Sequence, residues 1–187
     1  VLSLSYYIAT FVSTLIICFT ATAICLVYIS FVGWYMSLTD VLLLVLDVFM
    51  LVLFGTAISS LINLFLSTQG QLSAVGTIVS AGYGFICGAY MPIYSFGEGL
   101  QKVIMFLPGT YGTSLVRNHT MRGVLAEMQS EGVPAEVIGS IKDSLDCNLY
   151  FFENHVDISV MYVILGVSIA VLVGAYIIVN TFKKNVN

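Results

Sequence analysis

Charge is what this sequence has least of. Only 9% of its residues are Asp, Glu, Lys or Arg and 59% are hydrophobic, against roughly 25% and 45–50% in a soluble domain. The solvent of this chain is therefore a membrane. Six basic residues and a net charge of −4 leave no basic stripe to hold a phosphate backbone, so nucleic acid is not a partner. Proline is nearly as scarce, three in all, and the first is Pro92. Of the four cysteines, Cys18, Cys25 and Cys87 sit in apolar runs and Cys147 in a polar stretch, none with metal-ligand spacing. They imply no disulfide framework, and only a bridge from Cys147 to a partner subunit is left open.

Catalytic signatures are missing as well. The two histidines, His119 and His155, lie among dispersed acids (Glu127, Glu131, Asp146, Glu153, Asp157) without a His-x-x-x-His step, and read as surface side chains rather than metal ligands. There is no Gly-x-Ser-x-Gly, no His-Glu-x-x-His and no Gly-x-x-x-x-Gly-Lys-Ser/Thr. Neither hydrolysis nor ATP binding is expected of this chain.

What is present is apolar length. Roughly 20 apolar residues cross a bilayer as a helix, and four runs qualify, at about 4–32, 41–65, 74–93 and 158–182. Alternating polarity of barrel strands is absent, so the chain reads as an all-α membrane protein of four transmembrane helices. The links 33–40, with Trp34 and Tyr35, and 66–73 are short, which makes successive spans antiparallel. Lys183 and Lys184 place the tail, 183–187, in the cytoplasm by the positive-inside tendency. The 33–40 link and the large polar segment are then extracellular. Val1 follows neither an initiator Met nor a charged n-region, so the start reads as that of a fragment or processed chain rather than a signal peptide.

Residues 88–117 organise the rest. The third run halts at Met91-Pro92, a short amphipathic run follows to Leu107, and Pro108-Gly109 halts the chain again. The reading is a chain that leaves the membrane near Pro92, dips back over 94–112 as a re-entrant helix, and turns outward at Pro108. Residues 113–157 then form a small extracellular helical cap, with a helix from Thr113 through Gln129 and another started by Pro134. Asn118-His119-Thr120 matches the glycosylation sequon. Asp47 is an acid seven positions into an apolar span, where it costs about 2.5–3.5 kcal/mol. It either lines a pathway or is paired to a neighbouring helix. Gly82, Gly84 and Gly88 suit close helix packing, and Glu98 and Lys102 are four apart on the re-entrant helix, at ion-pair spacing.

The step Gly88-Ala89-Tyr90-Met91-Pro92, the short helix after it, and then Pro108-Gly109-Thr110-Tyr111 with Arg117 resemble the membrane subunits of type-2 ABC exporters. In that family the penultimate helix ends in Gly-x-x-x-Pro and a re-entrant helix leads to Pro-x-x-Tyr-x-x-x-x-x-Arg. The resemblance implies that the four spans are helices three to six of a six-helix permease. It implies a multi-pass protein of the bacterial cytoplasmic membrane, paired with a second permease half. A separate ATP-binding cassette subunit would carry ATP and Mg. Asp47, Phe85 and Tyr90 become candidates for the translocation pathway, and Pro92, Glu98, Lys102, Pro108, Tyr111 and Arg117 for an outer gate. Two alternatives stand beside it: a membrane-anchored sensor reading a ligand through its cap, and an ion-coupled transporter using Asp47. The family's interface helix and first two spans have no counterpart here.

Overall fold

The computed structural model describes residues 2–66, 68–152 and 154–186. Val1, Ser67, Glu153 and Asn187, and the side chains of Lys183 and Lys184 that oriented the chain above, lie outside the described residues. The order of elements is α1 (Leu2–Val32), α2 (Leu38–Asn63), α3 (Gln69–Ile86), a single 3-10 turn (Ile93–Ser95), α4 (Glu98–Ile104), α5 (Pro108–Ser130), α6 (Ala135–Ser144), a hairpin of β1 (Tyr150–Phe151) and β2 (Asn154–His155), and α7 (Ile158–Val186).

Among the described residues, three stretches are long and apolar enough to cross a membrane: Tyr7–Val32, Leu38–Asn63 and Ile158–Phe182. The third run expected over 74–93 is helical instead over Gln69–Ile86. Local chemistry sets these limits. Ser37 and Asp40 form a reciprocal capping box at the start of α2, Oγ accepting from the Asp40 amide at 3.2 Å and the carboxylate from the Ser37 amide at 3.1 Å. Thr68 and Gln71 repeat the device at α3. Cys87 ends α3, and Gly88 then takes a φ of +83°, a region open to glycine at no steric cost. Pro108 opens α5 at a position where its missing N–H is not needed.

The arrangement of α5 departs most from expectation. From Thr113 on it is expected to belong to an outer cap, yet the helix runs unbroken for 23 residues and packs lengthwise against α2 and α7. Gly112 lies on Leu51, His119 on Asp47, Arg122 on Asp40 and Gly123 on Tyr35, so α5 is antiparallel to α2. Asp47 meets Tyr162, and Met50 reaches Gly166, so α7 is parallel to α2. Despite its polar composition, α5 finds partners here. Its small and apolar positions Gly109, Gly112, Leu115 and Leu125 are buried, and so are Thr110, Ser114 and His119, each hydrogen-bonded.

The core sits where α2, α5 and α7 meet the outer elements: Phe54, Tyr111, Leu115 and Leu165 pack with Ile93, Ile104, Met105, Leu149 and Val156. At about 1.5–3 kcal/mol per fully buried apolar side chain, this cluster ties the 88–107 segment and the hairpin to the long helices. By contrast, the span Tyr7–Val32 buries nothing in its most apolar window and lies along the outside of α2.

Candidate functional site

Two polar clusters hold the bundle together. The first gathers the ends of α3, the 3-10 turn and α6 onto α5. Arg117 donates through one guanidinium nitrogen to Asp146 Oδ2 at 2.5 Å and through the other to the Gly88 carbonyl. The same Asp146 oxygen accepts from the Ile93 amide at 2.8 Å. Asp146 adopts a φ of 53°, a conformation that aspartate tolerates better than most residues. Thr113 donates to the Cys87 carbonyl at 2.8 Å, and Ser114 and Asn118 donate to the carbonyls of Asp146 and Cys147 at 2.7 and 2.6 Å. Fewer than two turns of α5 therefore staple together three segments that the sequence separates.

These contacts bear on two residues singled out in the sequence. The Asn118 amide is occupied inside the fold, on Ser114 and Cys147, so the sequon is not presented as a free loop. Cys147 is buried and unbridged, and burial raises its thiol above the ordinary value, outweighing the opposing pull of Arg117 and Lys142.

The second cluster joins α2, α5 and α7. Asp47 stands nine residues beyond Leu38, about 14 Å along the α2 axis at 1.5 Å per residue. Its Oδ2 is 2.6 Å from His119 Nδ1 on α5, and its Oδ1 accepts from the Tyr162 hydroxyl on α7. Asp47 and His119 are each 1% exposed. The His119 and Tyr162 rings stack with centroids 6.3 Å apart. Further out along the same α2–α5 seam, Arg122 pairs with Asp40 at 3.2 Å.

Of the two readings of Asp47, the paired one describes what is observed. His119, expected at the surface, is its partner. The remaining candidates divide. Tyr111 is buried with its hydroxyl on the Met105 carbonyl at 2.6 Å, and Pro108 starts α5 beside Tyr83, whose hydroxyl accepts from the Gly109 amide at 3.0 Å. Pro92 precedes the 3-10 turn. Glu98 and Lys102 form no ion pair among the described residues and instead face a cavity of about 320 Å³ between α4 and the hairpin. Phe85 and Tyr90 are exposed, their rings 5.1 Å apart. Gly82 faces open space, whereas Gly84 accommodates Tyr90 of its own segment and Gly88 accommodates Ile93. No group of three potential metal ligands converges among the described residues.

Two clefts open along α2. One, of about 540 Å³, lies between α1 and α2 and is lined by Thr10, Thr14, Thr22, Thr56 and Ser59 among apolar residues. The other, of about 290 Å³, lies between α2 and α3 and includes Asn63, Ser80, Tyr83 and Thr113. No protein-family model, curated protein or solved structure matches this chain.

Proposed function

We propose that this chain is a permease subunit of an ATP-driven exporter, contributing helices to the pathway by which a drug, peptide, lipid or glycan leaves the cell. One observation carries the reading. The segment 88–107 leaves α3 and delivers Pro108 back beside Tyr83, in a cleft shared with Phe54 and Ile58, well inside the length of α2. An anchor for an extracellular sensor has no need of such a return. The residues whose order resembles the exporter motifs are the ones that build it: Gly88 turns the chain, Pro108 starts the returning helix, and Arg117 ties that helix back to Gly88.

In this reading α3 is also a crossing, the third in chain order, since 18 helical residues extend about 27 Å. The 3-10 turn, α4 and the first turns of α5 are the re-entrant gate, while α6 and the hairpin are the extracellular cap. The clefts flanking α2 give an apolar substrate two hydroxyl-lined surfaces. ATP and Mg belong to a separate cassette ATPase, which drives export by favouring one of two membrane conformations with different substrate affinity. A second permease half completes the pathway.

Solubilising native membranes under mild conditions and isolating the tagged chain tests the proposal. A subunit with a P-loop should co-purify in stoichiometric amount, and the complex should hydrolyse ATP. A chain isolated repeatedly without any ATPase, while ion-gradient-driven uptake persists in reconstituted vesicles, would sink the reading.

A further inference from the structure

We infer that the recess between α5, α6 and the start of α7 binds the phosphate of an anionic phospholipid, held by Arg122 and Lys142. The inference does not rest on the permease reading. On α5, Arg122, Leu125 and Gln129 follow one another at steps of three and four, so they share one face of the helix. Ile138 and Lys142, four apart on α6, face them, and Ile158 at the start of α7 completes the wall of a cavity of about 320 Å³. Its size lies near the lower end of the roughly 300–1,000 Å³ of small-ligand sites.

Charge sets this recess apart. The chain has ten acidic residues and six basic ones, yet the recess is lined by two cations and no carboxylate. The cavity beside α4, by contrast, sets Lys102 among Glu98, Asp143 and Asp146. Neither cation is used up within the fold. Arg122 places one guanidinium nitrogen 3.2 Å from Asp40 Oδ1, and its side chain is still 48% exposed. Lys142 forms no ion pair among the described residues. The acids nearby are engaged elsewhere: Asp143 accepts from Asn148 and Tyr150, Asp146 holds Arg117, and Asp157 lies 3.5 Å from His155. Glu127, Glu131 and Glu136 do not line the recess. A cation in the last turn of α6 suits the helix dipole, but that leaves Arg122 unexplained, and like charges in one recess repel. An anion between them turns the repulsion into attraction.

The level of the recess favours a lipid over a soluble anion. Asp40, the partner of Arg122, is the third residue of the apolar stretch Leu38–Asn63, and Ile158 is the first of Ile158–Phe182. Two stretches long enough to cross a membrane therefore begin beside it, where headgroups lie. Gly123, next to Arg122, packs on the carbonyl of Tyr35, and Trp34 and Tyr35 are half exposed, as aromatic residues at a membrane interface are. Leu125, Ile138 and Ile158 offer the glycerol backbone an apolar wall. Arginine presents a planar fork to phosphate oxygens and lysine a single charge. A zwitterionic headgroup would bring its own ammonium toward these two cations, and an anionic one would not.

The test is a titration of the detergent-purified full chain, followed by native mass spectrometry, with phosphatidylglycerol, phosphatidylcholine and soluble glycerol 3-phosphate. The wild type should bind phosphatidylglycerol more tightly than either of the others. Lys142→Gln should weaken phosphatidylglycerol binding about fivefold, the effect of one basic residue at a membrane surface, and leave phosphatidylcholine binding unchanged. Arg122→Gln made together with Asp40→Asn, which leaves no acid unpaired, should weaken it at least as much. Lys102→Gln should change nothing. Because Lys142→Gln breaks no ion pair, it keeps the test decisive even if the Arg122 variant folds poorly. Equal wild-type affinity for the two lipids overturns the inference, as does a phosphatidylglycerol preference that survives Lys142→Gln. Glycerol 3-phosphate binding as tight as phosphatidylglycerol also overturns it, by making the recess a site for soluble phosphate.

Discussion

Arg117 illustrates how one side chain can carry a connection between distant segments. Its guanidinium is committed to Asp146 and to the Gly88 carbonyl, with the Ile93 amide on the same carboxylate. Removing it strands an Asp146 side chain that is only 4% exposed. Breaking one partner of such a pair costs about 3 kcal/mol, so Arg117→Ala should lower the thermal midpoint of the detergent-solubilised chain substantially. Arg117→Ala with Asp146→Asn should lower it less than Arg117→Ala alone, because no charge is then left unpaired while asparagine still tolerates the positive φ. Equal losses in the two would contradict the role given to the pair. In the sequence, Arg117 stands out only through the resemblance to the exporter pattern that also contains Pro108 and Tyr111. Sequence reasoning could reach Asp47 as an acid in an apolar run, but not its partners: His119 and Tyr162 lie 72 and 115 positions away. The one available signal was general, that an acid in a span needs a partner and the chain has only two histidines.

At the scale of elements, helices were legible wherever apolar length or a proline start marked them, and α5 was half legible. Its Thr, Ser, Asn, Arg and Gln content reads as solvent-facing, because periodicity reports which face is apolar and not which polar groups will find partners. Close approach at Gly123 is part of what admits α5 to the bundle. A Cβ there would stand 1.8 Å from the Tyr35 carbonyl oxygen, a backbone atom that cannot rotate away. Gly123→Ala should therefore cost more than the roughly 1–3 kcal/mol of ordinary overpacking. Gly139→Ala on α6, where nothing lies within 4 Å, should instead gain up to about 1 kcal/mol from helix propensity. Thermal unfolding of the two variants checks the contrast, and similar midpoints would show that the α5 contact yields. The tiny β1–β2 hairpin carried no usable sequence pattern, being two residues on each side.

For the whole molecule, helix directions fix which ends share a side. Helix α2 begins beside the C-terminal half of α5 and runs the same way as α7. The link before α2 and the segment after α5 therefore face one side, and the link after α2 the other. In a cysteine-free background, a membrane-impermeant maleimide should label Glu131→Cys from one face of sealed vesicles and Thr68→Cys only from the opposite face. Labelling of both from the same face would overturn the topology.

The course of α5 also bears on how the protein is made. Chains emerge N-terminus first, so α5 is synthesised while α7, which supplies Leu165 and Tyr162 to its buried face, does not yet exist. Until then His119, Thr110 and Ser114 have only part of their final surroundings. A helix this polar has little reason to partition into lipid by itself. The bundle must therefore close late, with α5 waiting at the membrane surface until the last helix inserts and offers it a seat. Truncation ahead of Ile158 should leave nascent chains whose α5 is open to protease, however well α1 and α2 have been threaded.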